Sequence, residues 1–574
     1  MKKLEPEQAS RALSLLMGLR THRFFYKASG FIDAELGRPL VAIANTMQDA
    51  GVGHMHLGQV AEAVKAGIYL GGGTPIEFNT IGPCGGYCQK RGIDDLTMLY
   101  DLPQRDVIAD SVEVQMRNYG ADGLVCIGTC DKSIPGLWLG AARMDLPTIF
   151  VTGGPAYPGT FDGEPTVFPT DVILRCLNDV LSGAITDDEF HNTMAEMEGK
   201  WITSCGACPE LTTANTVQMA TEVMGLCLPG TSTIPGPDIE RLRKAKEAGV
   251  AIVKLIREGA RFSDFVTEEA IQDAARLIMA TSAGTNGILH LLSLSKAMGL
   301  NVDINTFARI SDQTPYFCPI RPSGPYTMVD LNRAGGPFAV LKRIETEIAV
   351  KRPTAGGKTV GEVLSETVIA DDNVIRPLPK SLAPHGGIVV LRGNLAPRGS
   401  LSRFTIAGNE KQRFRGPCKC YDTQQAAIMG ILSDGVSEGD VLVVRYEGPR
   451  GGPGFSENFQ VVLLLEMLGL RNVAVVTDSR FSGATVGALY VGYITPEAQI
   501  GGPLAAVEEG DFISISIPDR EINLEVSDGE MKQRLARWQP PPPRVASGIL
   551  VDWHLLATQF DEGAMVQRNI HGSP

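Results

Sequence analysis

Short apolar runs alternating with helix-patterned segments constrain this chain more than any other feature. RPLVAIANT, PIEFNTIG, GLVCIGTC and LPTIFVTGG are each short, apolar and bounded by turn residues. Strands buried on both faces of a parallel sheet have this character. Between the second and third lies RDVIADSVEVQMRNYG, which puts Ile108, Val112, Met116 and Tyr119 on one helical face. Such alternation predicts an α/β layered domain. A further stretch, EEAIQDAARLIMATSAGTNGILHLLSLSKAMGL, reads as helices flanking a Gly-Thr-Asn turn.

The pattern changes across residues 352–386, which are turn-rich and weakly periodic. Beyond them β patterns dominate, in GIVVLRGNLA, DVLVVRYEG, NVAVVTDSR and DFISISIPDREINLEVS. The last alternates apolar and polar residues, the mark of a half-buried strand. A chain of 574 residues exceeds what one hydrophobic core supports. The expected division is an α/β domain over residues 1–375 and a β-rich domain over residues 376–574. The PPPP run at 540–543 is a stiff connector to a C-terminal tail expected to dock elsewhere.

The formal net charge is −13, and no long run of Lys and Arg occurs. Nucleic acid and anionic membranes are therefore not expected as partners. An anionic small molecule is compatible, since its site needs only local positive charge or a metal. The N-terminal MKKLEPEQASRALSLLMGLR lacks the apolar core of a signal peptide. No segment approaches about 18 uninterrupted apolar residues, so no membrane span and a cytoplasmic location are expected. In that compartment the 11 Cys are expected to be reduced thiols or metal ligands.

The run GLVCIGTCDKSIPG ends in Cys130, Asp131 and Lys132 side by side, then breaks at Pro135-Gly136. Loops at strand ends carry chemistry because a rigid scaffold aims their side chains into a crevice. A small buried thiol beside a surface ion pair is the plainer alternative. Cys84 lies in NTIGPCGGYCQKRG and Cys208 in SCGACPELTTAN. Cys205 and Cys208 make a CxxC, but no second pair stands at zinc-finger spacing. Three separated thiols can converge on an iron–sulfur cluster and leave one iron open as a Lewis acid, although spacing alone does not establish it. RYEGPRGGPGFSEN is rich in Gly and Pro, which lets backbone approach a ligand closely. Its Glu457 is a candidate ligand for a hard cation. VVTDSRFSGATVG carries Ser482 in a Gly-bracketed turn that is not a GxSxG elbow.

Taken together, CDKSIPG, RYEGPRGGPG, TDSRFSGATVG, IADSVE, LRGNLAP, and GTCDK preceded by ADGLVCI resemble the dihydroxy-acid and sugar-acid (aldonate) dehydratase family, which includes 6-phosphogluconate dehydratase. The motifs run in family order from residue 35 to residue 530. The resemblance implies an iron–sulfur hydro-lyase that removes water from a 2,3-dihydroxy carboxylate to give a 2-keto acid. It also implies an α/β N-terminal domain followed by a barrel-like β C-terminal domain, in homodimers or homotetramers. By motif position, Cys130 and Cys208 match cluster ligands, and Asp131 and Glu457 match Mg2+ ligands. Lys132 matches a lysine that is carbamylated in family members and binds the same ion. Ser482 matches the proposed base, a role a serine fills only where its pKa is depressed.

The sequence departs from the family pattern in three places. Members with a two-iron cluster carry a Cys before a His-Leu pair, and the corresponding QDAGVGHMHL has none. Other members carry a Cys just before an Asp-Gly pair, where GPCGG offers Cys84. Cys84 is thus the expected third ligand, with Cys88 in reserve, and a 4Fe-4S cluster is favoured over 2Fe-2S. Second, the Asp of that pair, an Mg2+ ligand in the family, is Gly85 here; Asp94 or Asp95 in the following loop are candidate replacements. Third, a His common after the serine motif is Tyr493. LRGNLAP and the missing early Cys favour a sugar acid such as an aldonate as substrate. GPRGGPG points instead to the branched-chain dihydroxy acids of valine and isoleucine biosynthesis. Gly85 leaves a third reading, a non-catalytic cluster-binding relative, but retention of Asp131, Lys132, Glu457 and Ser482 together argues against it.

Overall fold

The computed structural model describes residues 6–17, 21–88, 97–161, 163–166, 170–403, 412–433, 435–485 and 487–567. All four apolar runs of the first part are strands of one parallel sheet: β1 (Leu40–Asn45), β2 (Thr74–Asn79), β3 (Gly123–Gly128) and β4 (Thr148–Thr152), in the order β2-β1-β3-β4. Ala42 pairs with Ile76 on one side and Leu124 on the other. β3 and β4 are buried along their whole length. Two helix pairs account for this, Leu57–Gly71 with Ile239–Glu258 and Pro103–Tyr119 with Ser133–Met144, each packed together and each touching the sheet. Ile108, Val112 and Met116 are buried as their spacing predicts. The α/β character of the chain is established by this sheet and its helices.

The first helix pair crosses at glycines. A Cβ on Gly67 would lie 2.0 Å from the Lys246 carbonyl oxygen, and one on Gly249 would lie 2.3 Å from that of Val64. Backbone meets backbone there, so no side chain can yield. Gly67→Ala is expected to cost about 1–3 kcal/mol by forcing the helices apart, read as a lowered urea midpoint. An unchanged midpoint would mean that the crossing is looser than described.

After a small hairpin of β5 (Gly159–Phe161) and β6 (Glu164–Thr166), the chain runs through the predicted helices Glu268–Thr281 and Asn286–Met298. A second sheet of eight strands follows: β7 (Ile388–Leu391), β8 (Gly399–Arg403), β9 (Arg413–Tyr421), β10 (Val441–Val444), β11 (Ala474–Thr477), β12 (Leu489–Thr495), β13 (Phe512–Ser516) and β14 (Glu521–Leu524). Their order is β14-β13-β9-β10-β11-β12-β8-β7. A bridge between Arg392 and Glu521 brings the two ends together, so the sheet is barrel-like and nearly closed.

Two features differ from the sequence expectation. DFISISIPDREINLEVS forms two antiparallel strands, β13 and β14, because the chain turns at Arg520 with φ of 60°. The second sheet also contains four parallel strands, β9 to β12, with helices Gln424–Leu432 and Phe459–Met467 between them. FQVVLLLEM is apolar nearly all round, so it lacks the helical period that would distinguish it from a buried strand.

The tail beyond the proline run docks on the helix Pro103–Tyr119. Arg105 donates to the carbonyls of Gly563 (3.2 Å) and Ala564 (2.6 Å), and Val566 N–H donates to Asp106 at 3.0 Å. Trp553 and Phe560 join the large core. Among the described residues, no helix is long and apolar enough to cross a membrane.

Candidate active site

In the order β2-β1-β3-β4, chain direction switches sides between β1 and β3, and loops at the strand ends there open a crevice. The loop after β1 brings Val52 and Gly53, the loop after β2 brings Cys84 and Gly85, and the end of β3 brings Cys130, Asp131 and Lys132. From the second sheet come Glu457, preceding a helix, and Ser482, in the loop between β11 and β12. Together with Cys208 these residues line one cavity of about 420 Å³. Seven residues singled out in the sequence meet there, Cys84, Cys130, Asp131, Lys132, Cys208, Glu457 and Ser482, from positions as far apart as 84 and 482.

A buried set of charges forms the floor. Lys132 Nζ lies 2.6 Å from Asp101 Oδ2, is ion-paired with Asp131, and stands 3.8 Å from Glu457 Oε1. Arg480 pairs with Asp101 at 2.6 Å and also with Glu457. Lys132, Asp101 and Arg480 are all but sealed from solvent. Three carboxylates therefore face two cations at low dielectric, where unpaired charge is expensive. Burial favours neutral Asp101, but Lys132 and Arg480 overcome it and hold the carboxyl below its usual range. Burial pushes Asp131 up, and Lys132 offsets only part of that. Oxygens of Asp101, Asp131 and Glu457 all lie within 4.8 Å of one another. Asp101 escapes sequence reasoning; Asp94 and Asp95, the replacements expected there, lie outside the described residues.

The thiols form an adjoining wall. Cys84 and Cys130 are hydrogen-bonded to each other; this contact holds Cys84 down and, together with burial, pushes Cys130 well up. Burial raises Cys208, and the charge of nearby Cys84 adds to it. Gly53 belongs to the stretch that lacks the early Cys, and a Cβ on it would lie 3.1 Å from Cys130 Sγ. Position 53 thus adjoins the same thiols that Cys84 completes from the other loop. The donor chemistry fits two groups: three soft thiols suit an iron–sulfur cluster, and three carboxylates suit a hard cation. The side chain of Cys88, the reserve ligand, lies outside the described residues.

Ser482 Oγ accepts a hydrogen bond from Ala484 N–H at 3.3 Å, which leaves its own proton to point elsewhere. Its turn is held against the helix Thr213–Val223, since a Cβ on Gly483 would lie 2.7 Å from Thr213 N. Asn286, read in the sequence only as part of a turn, donates to Glu457 Oε1 at 2.9 Å and is fully buried. Tyr493 replaces the family His and does not line the cavity; its hydroxyl donates to Asn286 Oδ1 at 2.8 Å. It acts on Glu457 through Asn286.

Family models match nearly the whole chain. The one described as dihydroxy-acid/6-phosphogluconate dehydratase N-terminal matches residues 38–363, and its C-terminal counterpart matches residues 373–564. A dihydroxy-acid dehydratase of Pyrococcus furiosus is 41% identical over 551 residues, covering 95% of this chain and 97% of the relative. Dihydroxy-acid dehydratases of Caldanaerobacter subterraneus and Methanothrix thermoacetophila are 40% and 39% identical, with 95% of this chain covered and 96% and 97% of theirs.

Proposed function

Because the chain belongs to the dihydroxy-acid/6-phosphogluconate dehydratase family and is a hydro-lyase, we propose that it dehydrates a short branched 2,3-dihydroxy carboxylate to the 2-keto acid. The observation that carries this reading is the convergence of Cys84, Cys130 and Cys208 with Asp101, Asp131 and Glu457 on one cavity. The thiols would hold the iron–sulfur cluster, with Cys84 favouring the four-iron form, and the carboxylates with Lys132 would hold Mg2+. When bound, these groups supply Lewis acidity toward the departing C3 hydroxyl and the charge developing at C2. An ammonium at Lys132 repels a cation, so carbamylation, which makes that nitrogen part of an anionic group, suits the cation-bound site. Ser482, at the cavity wall, takes the C2 proton.

The substrate reading turns from the sugar acid favoured in the sequence to the branched dihydroxy acid. The relatives' names support this, and so does the cavity. Among the described residues lining it, the one cationic side chain is Lys132, which the carboxylates already engage. A distal phosphate would find no counter-charge there. Trp201, Ile202 and Phe459 offer apolar surface suited to methyl groups. Burying a polyhydroxy chain against such surface leaves hydroxyls unpaired. Anaerobic turnover of 2,3-dihydroxy-3-methylbutanoate should exceed that of gluconate or arabinonate by about 100-fold in kcat/KM, read by keto-acid formation. Faster turnover of an aldonate would restore the sugar-acid reading, and no turnover of either would favour the non-catalytic one. Assembly into homodimers or homotetramers remains part of the proposal, to be read from mass in solution.

A further inference from the structure

The geometry points to Asp101 as the cation ligand that takes over from residue 85, a carboxylate relocated 16 positions along the chain. This inference rests on the cation site proposed above and concerns how this chain builds it. A Cβ placed on Gly85 would lie 2.8 Å from Asp101 Oδ1 and 3.7 Å from Asp131 Oδ1. The first separation is one that real side chains do not show, so Asp101 fills the space a side chain at 85 would need. Position 85 and Asp101 therefore compete for one place beside Asp131. The family pattern puts a carboxylate at residue 85; here the backbone of that residue is bare and the carboxylate arrives from the other end of the same loop.

Two further observations agree. Asp101 is sealed from solvent, which an acid with only a surface role would not be. Its two oxygens also divide their work. Oδ2 takes both Lys132 and Arg480 at 2.6 Å, whereas Oδ1 faces Gly85 and has Gln104 Nε2 at 3.3 Å. Oδ2 is thus held by the protein's own cations, and Oδ1 is the oxygen on the side where the family's ligand would sit. With Asp101 in place of an acid at 85, the carboxylate count of the site is preserved. The cation site is therefore rebuilt rather than depleted.

The test is Mn2+ binding to the anaerobically purified holoenzyme, followed by electron paramagnetic resonance of the free ion. Asp101→Asn should weaken binding by about 100-fold. Gly85→Asp alone should not tighten it, because the new side chain collides with Asp101. The double variant Gly85→Asp with Asp101→Ser should recover affinity to within about tenfold of the parent. It returns a carboxylate to Lys132 and Arg480, so it remains informative if Asp101→Asn fails to fold. Tighter binding in Gly85→Asp alone, or parental binding in Asp101→Asn, would overturn the relocation while leaving the cation site standing. A parent that binds no Mn2+ would overturn the cation site itself, and the relocation with it.

Discussion

Cys130→Ser is expected to give a colourless protein with no measurable turnover, whereas Cys126→Ala, in the strand that leads to it, keeps the brown absorption. Both thiols are buried; burial pushes Cys126 up, and the Cys84 contact together with burial pushes Cys130 up. They differ in what they face. Cys126 lies within β3 and belongs to the core, paired across the sheet with Ala44 and Phe150. Cys130 lies past the strand end, hydrogen-bonded to Cys84 and open to the cavity. Serine keeps the size of the side chain but exchanges a soft thiolate for an alkoxide that is hardly ever populated, so the proposed cluster would lose one of its three ligands. Visible absorbance and iron content measured under anaerobic conditions decide the matter. Undiminished absorbance in Cys130→Ser would remove this thiol from the cluster.

Ser482→Ala is expected to lower kcat by about 10⁴-fold, the upper range for loss of a positioned base, with absorbance and Mn2+ binding retained. The hydroxyl is held from behind by Ala484 N–H, and the turn is fixed by the contact of Gly483 with the helix beginning at Thr213. Removing one oxygen therefore changes the chemistry with little change in packing. Exchange of the C2 proton with deuterated solvent separates this role from simple substrate binding. The alanine variant should bind substrate and leave that proton in place. Continued exchange would assign proton removal to another group.

Much of this architecture is legible in the sequence because buried parallel strands are continuous apolar runs. GLVCIGTC and LPTIFVTGG can be little else, and their ends fix where a crevice must open. Cys130, Asp131, Lys132 and Ser482 are legible because long motifs surround them. Asp101 is not, since a lone acid ahead of Leu102 and Pro103 reads as an ordinary helix start. Its meaning appears only when Gly85 is seen opposite it. Arg480 ends a β-patterned run and Asn286 lies in a segment that reads as a turn, yet both bind Glu457 Oε1. Helix Phe459–Met467 is hidden by its own hydrophobicity. The break between β13 and β14 is marked by Pro518 and Asp519, and period-two alternation on both sides masks it.

The docking of the tail has a practical side. Arg105 lies in the first turn of its helix, four residues after Asp101, and its guanidinium is held by carbonyls of Gly563 and Ala564. Any clipping that trims the protein past Gly563, whether by design or by a contaminating protease, takes both carbonyl acceptors from a sealed guanidinium. Batches of differing specific activity therefore call for an intact-mass measurement of the carboxyl-terminal peptide before oxygen damage is blamed. For the same reason, a purification handle belongs at the amino-terminal end.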